Sequence, residues 1–359
     1  MMSNSASKFF VLATMAILTA CAKGGDSFSI LADSTSFKQT TNYVVRPVDV
    51  LWVIDNSGSM RSSQENIALN FQAFIGRFQQ LGHDFHMGVT TTDSYRSQMS
   101  PFNQAYSKLR DGPALNNGNP NTALPHSGVF IMDKNTPNLS DVFLTNIMLG
   151  VNGHGDERAF QSFQATLNST LNGGFRRAGA FLAIIIVSDE DDFSNSTSSL
   201  IENYNSPNLY PISNYVTYLD NLTGSTATTR NYSVNTISIK DSECQAQLWD
   251  IYHSQKISQR LMALAAATGG TQGSLCGNFG ETLDIISGEV LSLSSNFILD
   301  REPIPESIVV TINGVVSGQD SQNGWTYDAA TNSITFHGTG LPPANSDVKI
   351  NFDPKNVII

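Results

Sequence analysis

The sequence has few charged residues and no excess of positive charge. Charged side chains make up 14% of its 359 residues, and 20 basic against 31 acidic residues leave a formal net charge of −11. No stretch concentrates lysine and arginine into the basic surface that a nucleic-acid backbone requires. These absences exclude nonspecific nucleic-acid binding, and we expect no nucleic-acid partner.

The local motifs of the common enzyme classes are also missing. No glycine-rich phosphate loop follows an apolar run, so a nucleotide-dependent enzyme is not expected. Ser57 has neither a nucleophile elbow nor an accompanying histidine pattern. No metal-ligand spacing occurs among the histidines at 83, 86, 126, 253 and 337. We therefore expect a binding protein and not an enzyme; the alternative, a metal-assisted hydrolase, would need Glu157 or Glu190 as its base.

The first apolar run, Phe9 to Leu18, is too short to span a membrane as a helix. It follows Lys8 and leads into Leu-Thr-Ala-Cys at 18–21, and this succession is typical of a secretory signal. The ending resembles a bacterial lipobox, which implies a signal peptide of residues 1–20 and a lipid on Cys21. The alternative is a plain signal peptide that contains a cysteine.

The location expected from that ending is the bacterial cell envelope. The lipid would anchor the chain to a membrane, and Ala22 after the lipidated cysteine favours the outer membrane or cell surface. Residues 21–41 are small, polar and without period, which predicts a flexible tether.

Cysteine is scarce, with three in the whole chain. Once Cys21 is assigned to the lipid, Cys244 and Cys276 remain in an oxidising compartment. That pair favours a disulfide, and two buried free thiols are the alternative.

The stretch around which the predicted fold is organised lies at residues 48–59. Seven largely apolar residues, Val48 to Ile54, run into Asp55, Ser57 and Ser59. A continuous apolar run followed by turn formers predicts a buried central strand of a parallel sheet. Its polar tip then stands at the carboxyl end of the strand, where open α/β sheets bind their ligands.

Apolar runs and helical spacing alternate through residues 42–295. This alternation predicts a doubly wound α/β fold with a mostly parallel sheet flanked by helices. Two irregular insertions interrupt it at 94–139 and 193–209. From residue 296 to 359, short strand patterns with turn signals and no helical spacing predict a small C-terminal all-β module.

Polar side chains follow three of the predicted strands. They are Asp55-x-Ser57-x-Ser59, Thr91-Thr92-Asp93 and Ser188-Asp189-Glu190. The carboxyl ends of parallel strands lie along one edge, so these oxygens are expected to meet there. Carboxylates and hydroxyls of this kind suit Mg²⁺, Mn²⁺ or Ca²⁺. The next two acids, Asp191 and Asp192, are expected in a solvated acidic loop.

Residues 44–295 resemble a von Willebrand factor A (VWA) domain, and Asp55-Asn56-Ser57-Gly58-Ser59 matches its metal-ion-dependent adhesion site (MIDAS) motif. The resemblance implies that Asp55, Ser57 and Ser59 hold a divalent cation, most simply Mg²⁺, with Asp189 from a third loop.

The family also places a threonine in a second loop, near residues 153–157, where this chain has none. Asp156, Glu157 or a water could fill that position, or Thr91 or Thr92 could reach in; Glu157 is the favoured candidate.

The resemblance further implies a metal-dependent adhesin, anchored by its lipid. The partner would be a protein that donates an acidic side chain to the metal, or a surface glycan. The alternative is an envelope scaffold or assembly lipoprotein that uses the same metal for stability.

Overall fold

The computed structural model describes residues 37–42, 46–122, 124–226, 229–249, 255–343 and 346–355. The strands are β1 (Phe37–Asn42), β2 (Val48–Ile54), β3 (Phe85–Thr91), β4 (Met132–Asp133), β5 (Phe181–Ser188), β6 (Tyr232–Ser238), β7 (Gln272–Ser274), β8 (Phe297–Ile298), β9 (Val309–Ile312), β10 (Val315–Ser317), β11 (Trp325–Asp328), β12 (Ser333–Phe336) and β13 (Asp347–Phe352). The α-helices are α1 (Arg61–Gln80), α2 (Leu139–Ile147), α3 (Ala159–Asn168), α4 (Ile212–Thr223), α5 (Ser242–Leu248), α6 (Gln259–Thr268) and α7 (Phe279–Ser294).

The main sheet has six strands in the order β4-β3-β2-β5-β6-β7. Its neighbours from β3 through β7 are parallel, and only the edge strand β4 runs antiparallel to β3. The predicted fold class, a doubly wound and mostly parallel α/β sheet, is confirmed. The two-residue strand β4 lies in the insertion 94–139, where its pattern is too short to be predicted.

The central strands β2 and β5 are buried along their whole length. Alternate side chains of β2 enter two apolar cores: Trp52 and Ile54 pack with residues of α1, α2 and α7, while Leu51 and Val53 pack with residues of α3, α4 and α6. Helices cover both faces, so the strands read as continuous apolar runs without alternation. Polar groups are then confined to the strand ends.

The C-terminal region forms two small antiparallel sheets, β1-β13-β9-β10 and β11-β12-β8. The expected all-β character is therefore observed. The last residues of the segment predicted to be a flexible tether, 37–41, lie instead in β1, which pairs with β13 from Phe37 opposite Phe352 to Asn42 opposite Asp347. A strand whose partner lies about 300 residues away in sequence leaves no local periodic signal.

The expected signal peptide and the lipidated Cys21 lie outside the described residues, so both stay predictions. Among the described residues, no helix is both long and apolar enough to cross a bilayer. Cys244 in α5 and Cys276, which follows β7, form a disulfide with Cα atoms 5.5 Å apart.

His83, between α1 and β3, is a buried histidine whose two ring nitrogens have no hydrogen-bond partner among the described residues. Burial lowers its pKa to about 4. The unfolded chain, with an ordinary histidine pKa near ~6.5, therefore binds a proton that the folded chain does not. Stability is lost as the pH falls through this window, by about 2 kcal/mol between roughly pH 7 and pH 5.

The variant His83→Leu places an apolar side chain of similar size against Phe78, whose ring centroid lies 6.2 Å from that of His83. We expect the free energy of unfolding, measured with urea, to fall by about 2 kcal/mol less in the variant than in wild type between those pH values. Equal losses in the two proteins would show that His83 is not the group that titrates.

Candidate metal site

Three strand ends meet at one edge of the main sheet because β2 lies between β3 and β5. Ile54, the last residue of β2, is paired with Thr91 on one side and Val187 on the other. The loops that begin at Asp55, Thr92 and Asp189 therefore leave the sheet side by side. This is the edge at which the sequence predicts the polar cluster.

Asp55 is fully buried at the centre of this edge. Its Oδ1 accepts the backbone N–H of Ser57 at 2.8 Å, and its Oδ2 accepts the Ser188 hydroxyl at 2.7 Å. The hydroxyl oxygens of Ser57 and Ser59 lie 3.3 Å apart. The turn thus brings one carboxylate and two hydroxyls together, and Ser188 of β5 fixes the carboxylate.

Gln64, in the first turns of α1, joins the Asp55 loop to the second loop. Its Nε2 donates to the carbonyl oxygens of Asp55 and Gly150, both at 3.0 Å. Gln64 is buried although it is a polar residue of an amphipathic helix. Sequence reasoning missed it, and the signal that could have found it is a glutamine on the apolar side of α1, one turn after the motif.

The second loop approaches the motif closely at Gly153. Its N–H donates to the Asn56 carbonyl oxygen at 2.7 Å, and a Cβ at Gly153 would lie 2.6 Å from that oxygen. The neighbouring His154 N–H donates to Asp93 at 3.2 Å, and the Asn56 side-chain amide donates to the same carboxylate at 3.3 Å. Asp93, at the end of the β3 strand, therefore holds the second loop against the motif.

Glu157 lies in the second loop, within the stretch 153–157 where a substitute for the threonine is expected. Its side chain is buried, and its carboxylate oxygens make no hydrogen bond of ordinary geometry among the described residues. Burial first, and then the negative charges of Asp55, Glu190 and Asp93, raise its pKa well above the usual range. Glu157 therefore belongs to the acidic cluster, and its role as a ligand stays a prediction.

Two of the other candidates for that position, Asp156 and Thr91, have partners of their own. Asp156 forms a buried ion pair with Arg158, with Nη2 to Oδ2 at 2.6 Å, and the Thr91 hydroxyl accepts the Asp93 N–H at 3.2 Å. The Thr92 hydroxyl is buried, makes no hydrogen bond of ordinary geometry among the described residues, and lies beside Glu157, whose pKa it lowers. Glu157 and Thr92 are therefore the two candidates whose oxygens are not already held by another group.

The third loop contributes Asp189 and Glu190. Burial, followed by the negative charge of Asp189, raises the pKa of Asp55 to about 7. Glu190 acts in the same way on Glu157. Asp55, Glu157, Asp189 and Glu190 are thus close enough to repel one another in a buried region.

The expectation that Asp191 and Asp192 form a solvated acidic loop is wrong. Both are buried, and each accepts N–H groups in the first turn of a helix. Asp191 accepts the N–H groups of Arg260 and Leu261 in α6 at 2.9 and 3.1 Å, and Asp192 accepts that of Phe160 in α3 at 2.9 Å. Carboxylates are favoured there by the unpaired N–H groups and the helix dipole.

The donor set fits a divalent cation. Carboxylates buried together without compensating charge are unstable unless they take up protons or bind a cation. Here the pKa values of Asp55 and Glu157 are raised, and the oxygens of Glu157 make no ordinary hydrogen bond. The turn after Asp55 adds the hydroxyls of Ser57 and Ser59. The described residues contain no cluster of three or more His, Cys, Asp or Glu side chains in a metal-binding arrangement. The carboxylates of Asp55, Glu157 and Asp189 therefore do not form a complete ligand set by themselves, and the hydroxyls of Ser57 and Ser59 would have to supply part of the coordination.

No family profile and no curated protein matches the chain. Among solved structures, the pilus adhesin SpaC from Lactobacillus rhamnosus GG in its open conformation is 12% identical with a TM-score of 0.46, over 88% of this chain and 40% of SpaC. Proximal thread matrix protein 1 (PTMP1) from the mussel byssus, with a zinc-occupied MIDAS motif, is 11% identical with a TM-score of 0.37, over 73% of this chain and 52% of PTMP1. This chain thus spans about two fifths of SpaC and half of PTMP1, and similarities this distant concern the fold alone.

Proposed function

We propose that the chain is a VWA-type adhesin of the bacterial cell surface, which engages a protein partner through a divalent cation. Asp55, Ser57, Ser59, Asp189 and Glu157 would hold the cation, most simply Mg²⁺. The observation that supports this proposal is that Asp55 and Glu157 are buried and act electrostatically on each other at the carboxyl edge of the sheet, where the turn after Asp55 carries two hydroxyls.

A bound cation at this place would supply an electrophilic position for an acidic side chain of the partner. The chain's own residues prepare that position. Gln64, Gly153 and Asp93 hold the motif loop and the second loop together, and Ser188 orients Asp55. Together these contacts fix the loops around the cation position, which favours the binding of a partner there.

Chelation and surface exposure test the function. Purified full-length protein on beads should retain a partner from a cell-surface extract in Mg²⁺ and release it in EDTA. On intact cells, the domain should be cleaved by added protease. An envelope scaffold would instead be shielded from protease and would keep its partner in EDTA, and that result would replace the adhesin proposal.

Glu157→Gln is expected to change metal binding and stability in opposite directions. Losing one negative ligand should weaken Mg²⁺ binding at least ~10-fold. Removing one charge from a set of mutually repelling buried carboxylates should stabilise the metal-free protein by about 1 kcal/mol. Calorimetric Mg²⁺ titration and urea unfolding in EDTA measure the two effects. A variant that keeps wild-type affinity would show that Glu157 is not a ligand.

A further inference from the structure

An apolar slot of about 300 Å³ opens beside the metal motif. It lies between the start of α1, the end of α2, the second loop and the residues Pro113, Asn121, Leu124 and Pro125. The residues that define its character are Arg61, Gln64, Leu124, Leu144, Met148 and Val151.

The slot presents large aliphatic side chains to solvent. Leu124 is 49% exposed and Leu144 is 44% exposed, and both line the same cavity. Single exposed leucines are ordinary on protein surfaces. Two that share a concave site with a half-buried methionine and valine form a place where an apolar group can be removed from water.

The slot and the metal site share their walls. Gln64 lines the slot and donates to the carbonyl oxygens of Asp55 and Gly150. Val151 lies in the second loop, which also contains Glu157. A ligand group bound to the cation would therefore lie next to a ligand group in the slot.

Arg61 gives the slot a positive rim. It is exposed, it begins α1 two residues after Ser59, and it makes no ion pair within the described residues. On a chain of net charge −11, a guanidinium and a bound cation on the same face favour a negatively charged partner.

We propose that the slot binds a large aliphatic side chain of the partner, adjacent in sequence to the acidic residue that completes the metal site. This inference rests on the proposed function and narrows its partner to an acidic peptide segment with a neighbouring leucine or a residue of similar size. The Arg61 guanidinium lies against the negative charge of that segment.

Three fluorescein-labelled peptides test the inference by fluorescence polarisation with the full-length protein in Mg²⁺. They are Gly-Ser-Leu-Asp-Leu-Ser-Gly, the same peptide with both leucines replaced by alanine, and the leucine peptide with asparagine in place of aspartate. Burial of one leucine side chain should make the first bind about 10-fold more tightly than the second. The asparagine peptide should not bind, and EDTA should abolish binding of both aspartate peptides.

Two surface variants locate the preference for leucine. Leu144→Gln should remove the tenfold preference and leave the affinity of the alanine peptide unchanged. Leu171→Gln, at an equally exposed leucine outside the slot, should keep the preference. Calorimetric Mg²⁺ binding should be the same in both variants and in wild type.

The possible results distinguish a failure of this inference from a failure of the proposed metal-dependent function. If leucine and alanine peptides bind equally well in Mg²⁺, or if Leu144→Gln keeps the preference, the slot is not the subsite and the metal-dependent function stands. A preference for leucine that survives EDTA would show that slot and metal are not coupled and would overturn the inference. If the Mg²⁺-loaded protein binds neither aspartate peptide, the inference and the proposed acidic partner both fail.

Discussion

Asp55→Asn should reduce binding of Mg²⁺ and Mn²⁺ by more than about 100-fold while the fold is retained. The substitution removes the charge of the central carboxylate and preserves its size. The remaining side-chain oxygen can still accept the Ser57 N–H or the Ser188 hydroxyl. Since Asp55 is fully buried, no neighbouring group can replace it without moving the end of β2. Isothermal titration calorimetry with each cation measures the loss.

Glu65→Gln is the matched control for this experiment. Glu65 is an exposed acid on α1, close in sequence to the motif, and its removal should leave the affinity within about twofold of wild type because surface charges act weakly through water. Circular dichroism and the melting temperature in EDTA should show that Asp55→Asn remains folded. If Asp55→Asn binds Mg²⁺ as tightly as Glu65→Gln does, Asp55 is not a ligand.

Arg158→Met should destabilise the protein by about 3–5 kcal/mol, because it leaves the Asp156 carboxylate buried without a partner. The side chain of Arg158 is 1% exposed and that of Asp156 is 3% exposed. Arg158 also donates to the carbonyl oxygens of Thr197 and Ser199, both at 2.9 Å. Its loss therefore also releases the insertion 193–209 from the second loop. Urea unfolding in EDTA measures the free-energy change apart from metal binding.

Arg77→Met provides the comparison with a surface ion pair. Arg77 pairs with Asp284 at 2.7 Å, and their side chains are 33% and 45% exposed, so its removal should cost at most about 1 kcal/mol. The double variant Asp156→Asn with Arg158→Met should recover part of the stability that Arg158→Met loses, because no unpaired charge remains buried. A loss of less than about 1 kcal/mol in Arg158→Met would show that Asp156 finds solvent or a proton without cost.

The part of the site that belongs to strand ends could be predicted from the sequence. An apolar run that ends at a carboxylate predicts a central strand, and it predicts the edge of the sheet at which the carboxylate lies. Asp55 after β2 and Asp189 after β5 are the two cases. Both residues lie where this reasoning puts them. The same local logic applies to α1 and α7, whose apolar spacing is visible in the sequence without knowledge of their packing partners, but it does not identify the seven-residue helix α5.

The roles of residues in irregular loops could not be predicted in this way. Glu157 points into the acidic cluster while its neighbours Asp156 and Arg158 turn away to pair with each other, and no periodicity in a loop determines such directions. Asp191 and Asp192 look like a solvated run, yet α3 and α6 bring their N-termini to them. That contact depends on tertiary packing of helices far apart in sequence.

The observation of a cation at the carboxyl edge of the sheet would test the proposed site most directly. Crystals of the full-length protein grown with Mn²⁺ should show one anomalous difference peak in contact with the hydroxyls of Ser57 and Ser59, beside the carboxylates of Asp55, Glu157 and Asp189. Crystals of Asp55→Asn grown in the same way should lack it. A wild-type crystal at saturating Mn²⁺ with no peak at this turn, or with its peak elsewhere on the chain, would contradict the metal site and the adhesive function proposed from it.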